Sequence, residues 1–256
     1  MSSPSSSSSK PSTTDNLYAL TKNIQFFWFV GHIVTFFSSV LYLLTFRSGG
    51  LANTLFFRLA YLGVIESFGI ILYQSYKGRQ PTLQLLFGDD NAQYTFDALL
   101  WFFAPVNTLS LAPFVIFSLF HSLTYIRNQI LPALNYSQTT STLGKISTLI
   151  TNNNDSSLVL VANLEFFLLV VLIFKALFFM KRSWIILVGY TLFMKLRYEK
   201  SVYTKAVLKA YEVRIDGVFS DSRLPPNAKQ YWAKLKAVLS ATLGTPLAAN
   251  VASKNK

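Results

Sequence analysis

Five ionisable side chains, His32, Glu66, Asp97, Glu165 and Lys175, lie inside long apolar runs of this chain. Charge held in hydrocarbon is costly, so such groups serve either to pair across helices or to carry an ion or proton. Glu66 stands in mid-run, and Lys175 or His32 has the charge to pair with it. Gly63 and Ser67, four residues apart, form a small face that lets a second helix approach closely. An interhelical polar contact set of Glu66, Glu165, Lys175, His32, Gly63 and Ser67 is therefore expected. The rival chemistry is a small transporter or channel working through Glu66, His32 and Lys175.

Covalent catalysis has no comparable footing. G-x-x-x-x-G-K-[ST], H-E-x-x-H and G-x-S-x-G are all missing from the sequence. His121 is followed by Ser122-Leu123-Thr124-Tyr125-Ile126, with no acid to orient it as a base. With no cysteine and only two histidines, thiolate metal sites and disulfides are excluded and a histidine metal site has no basis. The chain is read as a non-enzyme without catalytic residues, metal or cofactor.

The elements that position these residues are membrane helices. Over 256 residues, 52% are hydrophobic and 13% charged, with 23 Phe, a balance foreign to both soluble globular and disordered chains. Four apolar blocks, 24–46, 55–76, 96–120 and 158–179, match the roughly 20 helical residues that cross a bilayer. A fifth run, Trp184 to Met194, is shorter and is expected to be re-entrant or interfacial. The expected fold is all-α: a polytopic helical membrane protein with four spans, one short segment and a cytosolic helical tail. Residues 1–23 form a Ser-rich head expected to be disordered, and 24–194 form the transmembrane domain. Pro105 and Pro113 are expected to bend or break the third block. Trp28, Trp101 and Trp184 near the starts of runs suit the bilayer interface.

Charge orients these spans. Residues 195–256 hold 12 of the 23 Lys/Arg against four acids, which is +8 of the net +12. The positive-inside rule places this tail in the cytosol, and four spans bring the N-terminus there too. The loop 121–157 then becomes lumenal, making Asn135 of Asn135-Tyr136-Ser137 a possible glycosylation acceptor.

The tail contains two helical patterns, 196–218 and 226–243. The second starts at Pro225-Pro226 and stops at Gly244 and Pro246. Tyr231, Trp232, Leu235, Val238, Leu239 and Leu243 form its apolar stripe, edged by Lys229, Lys234 and Lys236. Lysine stems lying on lipid with their amines at phosphates make this a membrane-surface binding element for anionic lipid headgroups. Docking on a partner or on the protein itself is the alternative. Nucleic acid is not an expected partner, because acids interrupt the basic residues.

The stretch from Pro105-Val106 through Leu111-Ala112-Pro113 and Ile116-Phe117-Ser118-Leu119-Phe120-His121-Ser122-Leu123-Thr124-Tyr125 resembles the transmembrane protein 33 family, which includes fungal pore-membrane and nuclear-envelope proteins. Asn163-Leu164-Glu165-Phe166-Phe167 and Leu196-Arg197-Tyr198 carry the same resemblance. It implies a non-enzymatic protein of the endoplasmic reticulum and nuclear envelope. It further implies roles in tubular membrane shape and nuclear pore assembly or distribution, with reticulon-type proteins, nucleoporins and an importin as partners. Shallow segments and surface helices that fill one leaflet more than the other agree with a scaffold that senses or stabilises curvature.

Overall fold

The computed structural model describes residues 12–46, 50–136, 141–180 and 182–248, and every regular element among them is a helix. Four helices, Ile24–Thr45, Gly50–Tyr76, Thr108–Ala133 and Ser141–Leu177, are long and apolar enough to cross a membrane. Most of the Ser-rich head, 1–11, lies outside the described residues. Beyond it the expectation of disorder fails: α1 (Thr13–Thr21) forms because the Ser12 hydroxyl accepts from the Asp15 N–H while the Asp15 carboxylate accepts from the Ser12 N–H.

The helices α2 (Ile24–Thr45) and α3 (Gly50–Tyr76) form an antiparallel pair at very close range. A Cβ built on Gly63 meets the Gly31 carbonyl oxygen at 2.5 Å, and one built on Gly31 meets the Gly63 carbonyl oxygen at 2.8 Å. Thr35 and Ser67 complete this face by donating their hydroxyls to carbonyls of both helices. Thr35 reaches Gly31 and Ala60, and Ser67 reaches Gly63 and Trp28. Small residues replace the bulk that would hold the helices apart.

After α4 (Leu83–Phe87) the chain departs from the expected third span. The block 96–120 is two helices, α5 (Asp90–Phe103) and α6 (Thr108–Tyr125). Pro105 lacks the N–H that would continue the first, and Asn107 caps the second by accepting from the Leu109 N–H. Pro113 is tolerated inside α6. The crossing then continues through a π-helical turn, Ile126–Ile130, into α7 (Leu131–Ala133), where Pro132 cannot supply the next helical donor.

The last apolar pair is α8 (Ser141–Leu177) and α9 (Ser183–Lys200). The short run Trp184 to Met194 is thus part of an 18-residue helix, about 27 Å long, packed against α5 and α8. The expected tail helix 196–218 also divides. Ser201 ends α9 and caps α10 (Val202–Phe219) by accepting from the Thr204 N–H. The second tail helix, α11 (Pro226–Gly244), runs where the Pro and Gly signals put it.

The core is aromatic. Tyr42, Phe57, Tyr61, Trp101, Phe114, Tyr190 and Phe193 are fully enclosed, so Trp101 faces the interior, not the bilayer interface. Arg58 of α3 donates to the carbonyls of Trp101, Phe102 and Ala104, closing the open end of α5 where Pro105 leaves those acceptors free.

Contacts fix which residues share an end of the bundle. The Tyr42 hydroxyl meets Thr108, His32 meets Ser118 and Phe29 stacks on Tyr125, so α2 and α6 are antiparallel. The Asn135 amide donates to Thr13 and the Tyr203 hydroxyl donates to Asp155. The segment after α6 therefore lies at the same end as α1 and the tail, which corrects the expectation that 121–157 faces the other side. The break between α5 and α6 turns the chain back, which the expectation of a single third helix did not include.

Candidate membrane interface and buried polar cluster

Two constellations of polar groups stand out at the end that carries α1 and α10. The first is buried. The Tyr94 hydroxyl donates to Glu165 Oε1 at 2.9 Å, and the Tyr190 hydroxyl donates to the Glu165 carbonyl at 3.1 Å. Arg197 Nη1 donates to Asp90 Oδ1 and to Gln93 Oε1, its Nε lies 4.0 Å from Glu165 Oε2, and its guanidinium covers the Tyr94 ring. One cation from α9 thus sits between carboxylates of α5 and α8. In a medium without water such a set binds three helices together, because each charge left alone would be costly.

Other predicted intramembrane residues are dispersed. Glu66 is exposed on α3 and makes no hydrogen bond or ion pair among the described residues. Lys175 is half-buried at the opposite end, beside Trp101, Pro105 and Asn107. His32 bonds Ser118 through Nδ1 at 3.2 Å and packs against Trp28 and His121. The expected pairing of Glu66 with Lys175 or His32 is therefore not formed, and the three do not line a common path. Glu165 does make interhelical contacts, but with Tyr94, Tyr190 and Arg197. In the sequence Arg197 is one of the basic residues of the tail, and Arg58, outside the expected contact set, stands within an apolar block, which is a usable signal.

The second constellation is the α10–α11 hairpin. Lys236 Nζ lies 2.6 Å from Asp216 Oδ2 and 3.1 Å from Glu212 Oε1, and Trp232 Nε1 donates to Asp216 Oδ1 at 2.8 Å. Trp232 stacks on Phe219 with ring centroids 5.5 Å apart. The bonds from Lys236 and Trp232 hold the Asp216 carboxyl below its ordinary range, and those from Lys209 and Lys236 do the same for Glu212. Lys236 is raised in return by Asp216 and Glu212.

The apolar stripe of α11 consequently divides in two. Trp232 and Leu243, with Lys236 and a Leu239 that stays 46% exposed, line a cavity of about 340 Å³ shared with Phe166 and Tyr211. Tyr231, Leu235 and Val238 point outward, 72%, 51% and 63% exposed. Lys234 is exposed beside them and Lys229 is half-buried. The hairpin is seated on the bundle: Tyr211 donates to Asn163 and stacks on Phe166, Lys195 donates to the Thr242 carbonyl, and Glu199 accepts from the N–H groups of Leu247 and Ala248. Phe166 belongs to the apolar stretch of α8, so the hairpin packs against that stretch.

Asn135 has φ 61°, a left-handed conformation that asparagine tolerates at a helix end, and its amide is bonded to Thr13. A lumenal, glycosylated Asn135 and a cytosolic N-terminus are incompatible in this fold.

Comparison with known proteins places these features. A 36% identical relative is the pore membrane protein of 33 kDa of Saccharomyces cerevisiae, aligned over 89% of this chain and 86% of its own length. The tetra-spanning protein 1 of Schizosaccharomyces pombe is 34% identical over 91% and 89% of the two chains, and nucleoporin POM33 of Chaetomium thermophilum is 29% identical over 87% and 86%. No solved structure shows a significant match. The family described as transmembrane protein 33/nucleoporin POM33 matches residues 8–244, almost all of the described fold, and the chain belongs to that family.

Proposed function

We propose that this protein is a non-enzymatic membrane scaffold of the endoplasmic reticulum and nuclear envelope that senses or stabilises curvature and supports nuclear pore assembly or distribution. The observation that carries the reading is the outward face of α11. Tyr231, Leu235 and Val238 are exposed on a hairpin packed against the apolar stretch of α8, with Lys234 beside them. An apolar edge inserted among headgroups on one side of the membrane occupies area in that leaflet alone, which favours curved surfaces. The names of the relatives, among them a pore and endoplasmic reticulum protein of 33 kDa in yeast, support the location. The excess of Lys and Arg in the tail supports a cytosolic orientation for both termini. Reticulon-type proteins, nucleoporins and an importin belong to this proposal as partners, carried by family membership.

The test uses the full chain, fluorescently labelled and reconstituted into giant vesicles of anionic lipid from which narrow tubes are pulled. The intact protein is expected to concentrate on the tube several-fold over the parent membrane. Leu235→Glu with Val238→Glu is expected to reduce that ratio to the value of an embedded control helix. Equal densities of the intact protein on tube and parent membrane rule the curvature reading out.

A further inference from the structure

At the same end of the bundle a cavity of about 360 Å³ opens between α3, α5, α6, α8 and the junction of α9 with α10. Its inner wall is Phe68, Tyr94, Phe117 and Leu158, and Arg197 and Lys200 line it beside the first turn of α10. Three features converge on an anion attached to an apolar body. Arg197, 8% exposed, lines the cavity as a cation whose Nη1 is held by Asp90 and Gln93 and whose Nε faces Glu165 at 4.0 Å. Lys200 is exposed at the rim and makes no ion pair among the described residues. The first turn of the 18-residue α10 contributes N–H groups that no helix carbonyl takes, of which the Ser201 cap satisfies that of Thr204. Asp90, the carboxylate in the lining, is already bonded to Arg197.

The apolar wall selects among anions. A free phosphate gains nothing from Phe68, Phe117 and Leu158, whereas an acyl chain gains by covering them. The volume takes a phosphate and the first part of a chain, leaving the remainder to lie in the bilayer. We infer that this cavity binds a glycerophospholipid, its phosphate held by Lys200, Arg197 and the first turn of α10 and its proximal acyl chain laid on Phe68, Phe117 and Leu158. Such a lipid joins α3, α6 and α8 to the start of the tail. The inference stands independently of the curvature role, since it requires a bilayer around the bundle but no shape of that bilayer.

The experiment uses the full chain purified in detergent and a phosphatidic acid carrying a photoactivated diazirine near the start of one acyl chain. Cross-links are mapped by peptide mass spectrometry. Labelling is expected on the segments of Phe117 and Leu158, and it should be displaced by unlabelled phosphatidic acid but not by inorganic phosphate. Lys200→Glu, at an exposed rim, should weaken the labelling about tenfold, the effect of losing one charge-assisted bond. Leu158→Trp should abolish it by filling the cavity, with the thermal unfolding midpoint reporting that the fold persists. If that variant unfolds, Lys200→Glu alone decides. Labelling spread evenly over the outward Phe37 and Phe167 segments, or unchanged in Lys200→Glu, overturns the site. Displacement by inorganic phosphate as effective as by lipid overturns the lipid assignment.

Discussion

Arg197 joins the exposed Asp90 and the buried Gln93 on one side to the buried Glu165 and the Tyr94 ring on the other, so Glu165 is the charge that its loss would strand in the interior. Removing one partner of a buried ionic set leaves the rest unpaired, and the cost is typically about 3–5 kcal/mol. Arg197→Met is therefore expected to lower stability by that order, read as a fall in the unfolding midpoint of the detergent-solubilised chain. Adding Glu165→Gln should recover part of the loss, because it removes the stranded charge. Glu66→Gln should change stability by less than about 0.5 kcal/mol, since Glu66 is exposed and unpaired. A large loss from Glu66→Gln with none from Arg197→Met would refute this assignment. Glu165 was legible in the sequence as a charge in an apolar run. Its partner was not: Lys175 lies on the same helix ten residues away, about 15 Å along the axis, so the two cannot meet. Arg197 comes from α9, the next helix in the chain, and the two meet only once α8 and α9 fold into a hairpin, which reading 184–194 as a short segment did not provide.

Helices in this chain are joined by two kinds of contact, and each has its own sensitivity. Between α2 and α3 the contact is backbone on backbone at Gly31 and Gly63, so Gly63→Ala forces a Cβ against a carbonyl oxygen that cannot rotate away. A loss of about 1–3 kcal/mol is expected, measured by denaturant titration in detergent, and an unchanged midpoint would show that the pair can separate freely. Between α10 and α11 the contact is ionic and exposed. Asp216 and Glu212 have depressed values, so their contribution is present above the ordinary 3.8 and 4.5 and is lost as pH falls through the depressed values. Lys236 is raised, so its contribution is present below 10.5 and is lost as pH rises through its raised value. The hairpin should stay closed between those limits and open in acid. Because the chain has no cysteine, spin labels placed by Val213→Cys and Val238→Cys report the distance without other substitutions. A single short distance at neutral pH that broadens in acid, and that is already broad in Glu212→Gln with Asp216→Asn, is the expected result. An acid-insensitive distance counts against the ionic clasp. The α11 boundaries were readable because Pro and Gly mark them, whereas the division of its stripe between bundle and exterior depended on α10, which periodicity within α11 does not encode.

Across the whole molecule, the sequence carried the helical class, the membrane setting and four helices long and apolar enough to cross, and it missed how the third block is divided. Composition cannot distinguish a 25-residue apolar run that is one span from two helices broken at Ala104 to Asn107, although Pro105 and Asn107 supply both a stop and a cap. The short run after Arg182 is longer as a helix because α9 continues through Lys195, Arg197 and Glu199, which bond to the tail and to α5. The break in the third block and the full length of α9 leave α1 and α10 at one end, and they turn the segment between α6 and α8 to that same end. In this fold Asn135 contacts Thr13 and Asp155 contacts Tyr203, so that segment lies at the end of the bundle that carries α1 and α10. With those termini cytosolic, native Asn135 is expected to stay unmodified in microsomes, and Asn135→Gln should cause no change in gel mobility. An acceptor sequon on a flexible insertion in the connection between α2 and α3, at the opposite end, should be glycosylated and should add one mobility shift removed by glycosidase. Protease added outside should meanwhile cleave within the tail. Modification of native Asn135, with the tail still accessible outside, would require α6 and α8 to be joined on the other side of the membrane, and the pairing of α2 with α6 seen here could not hold.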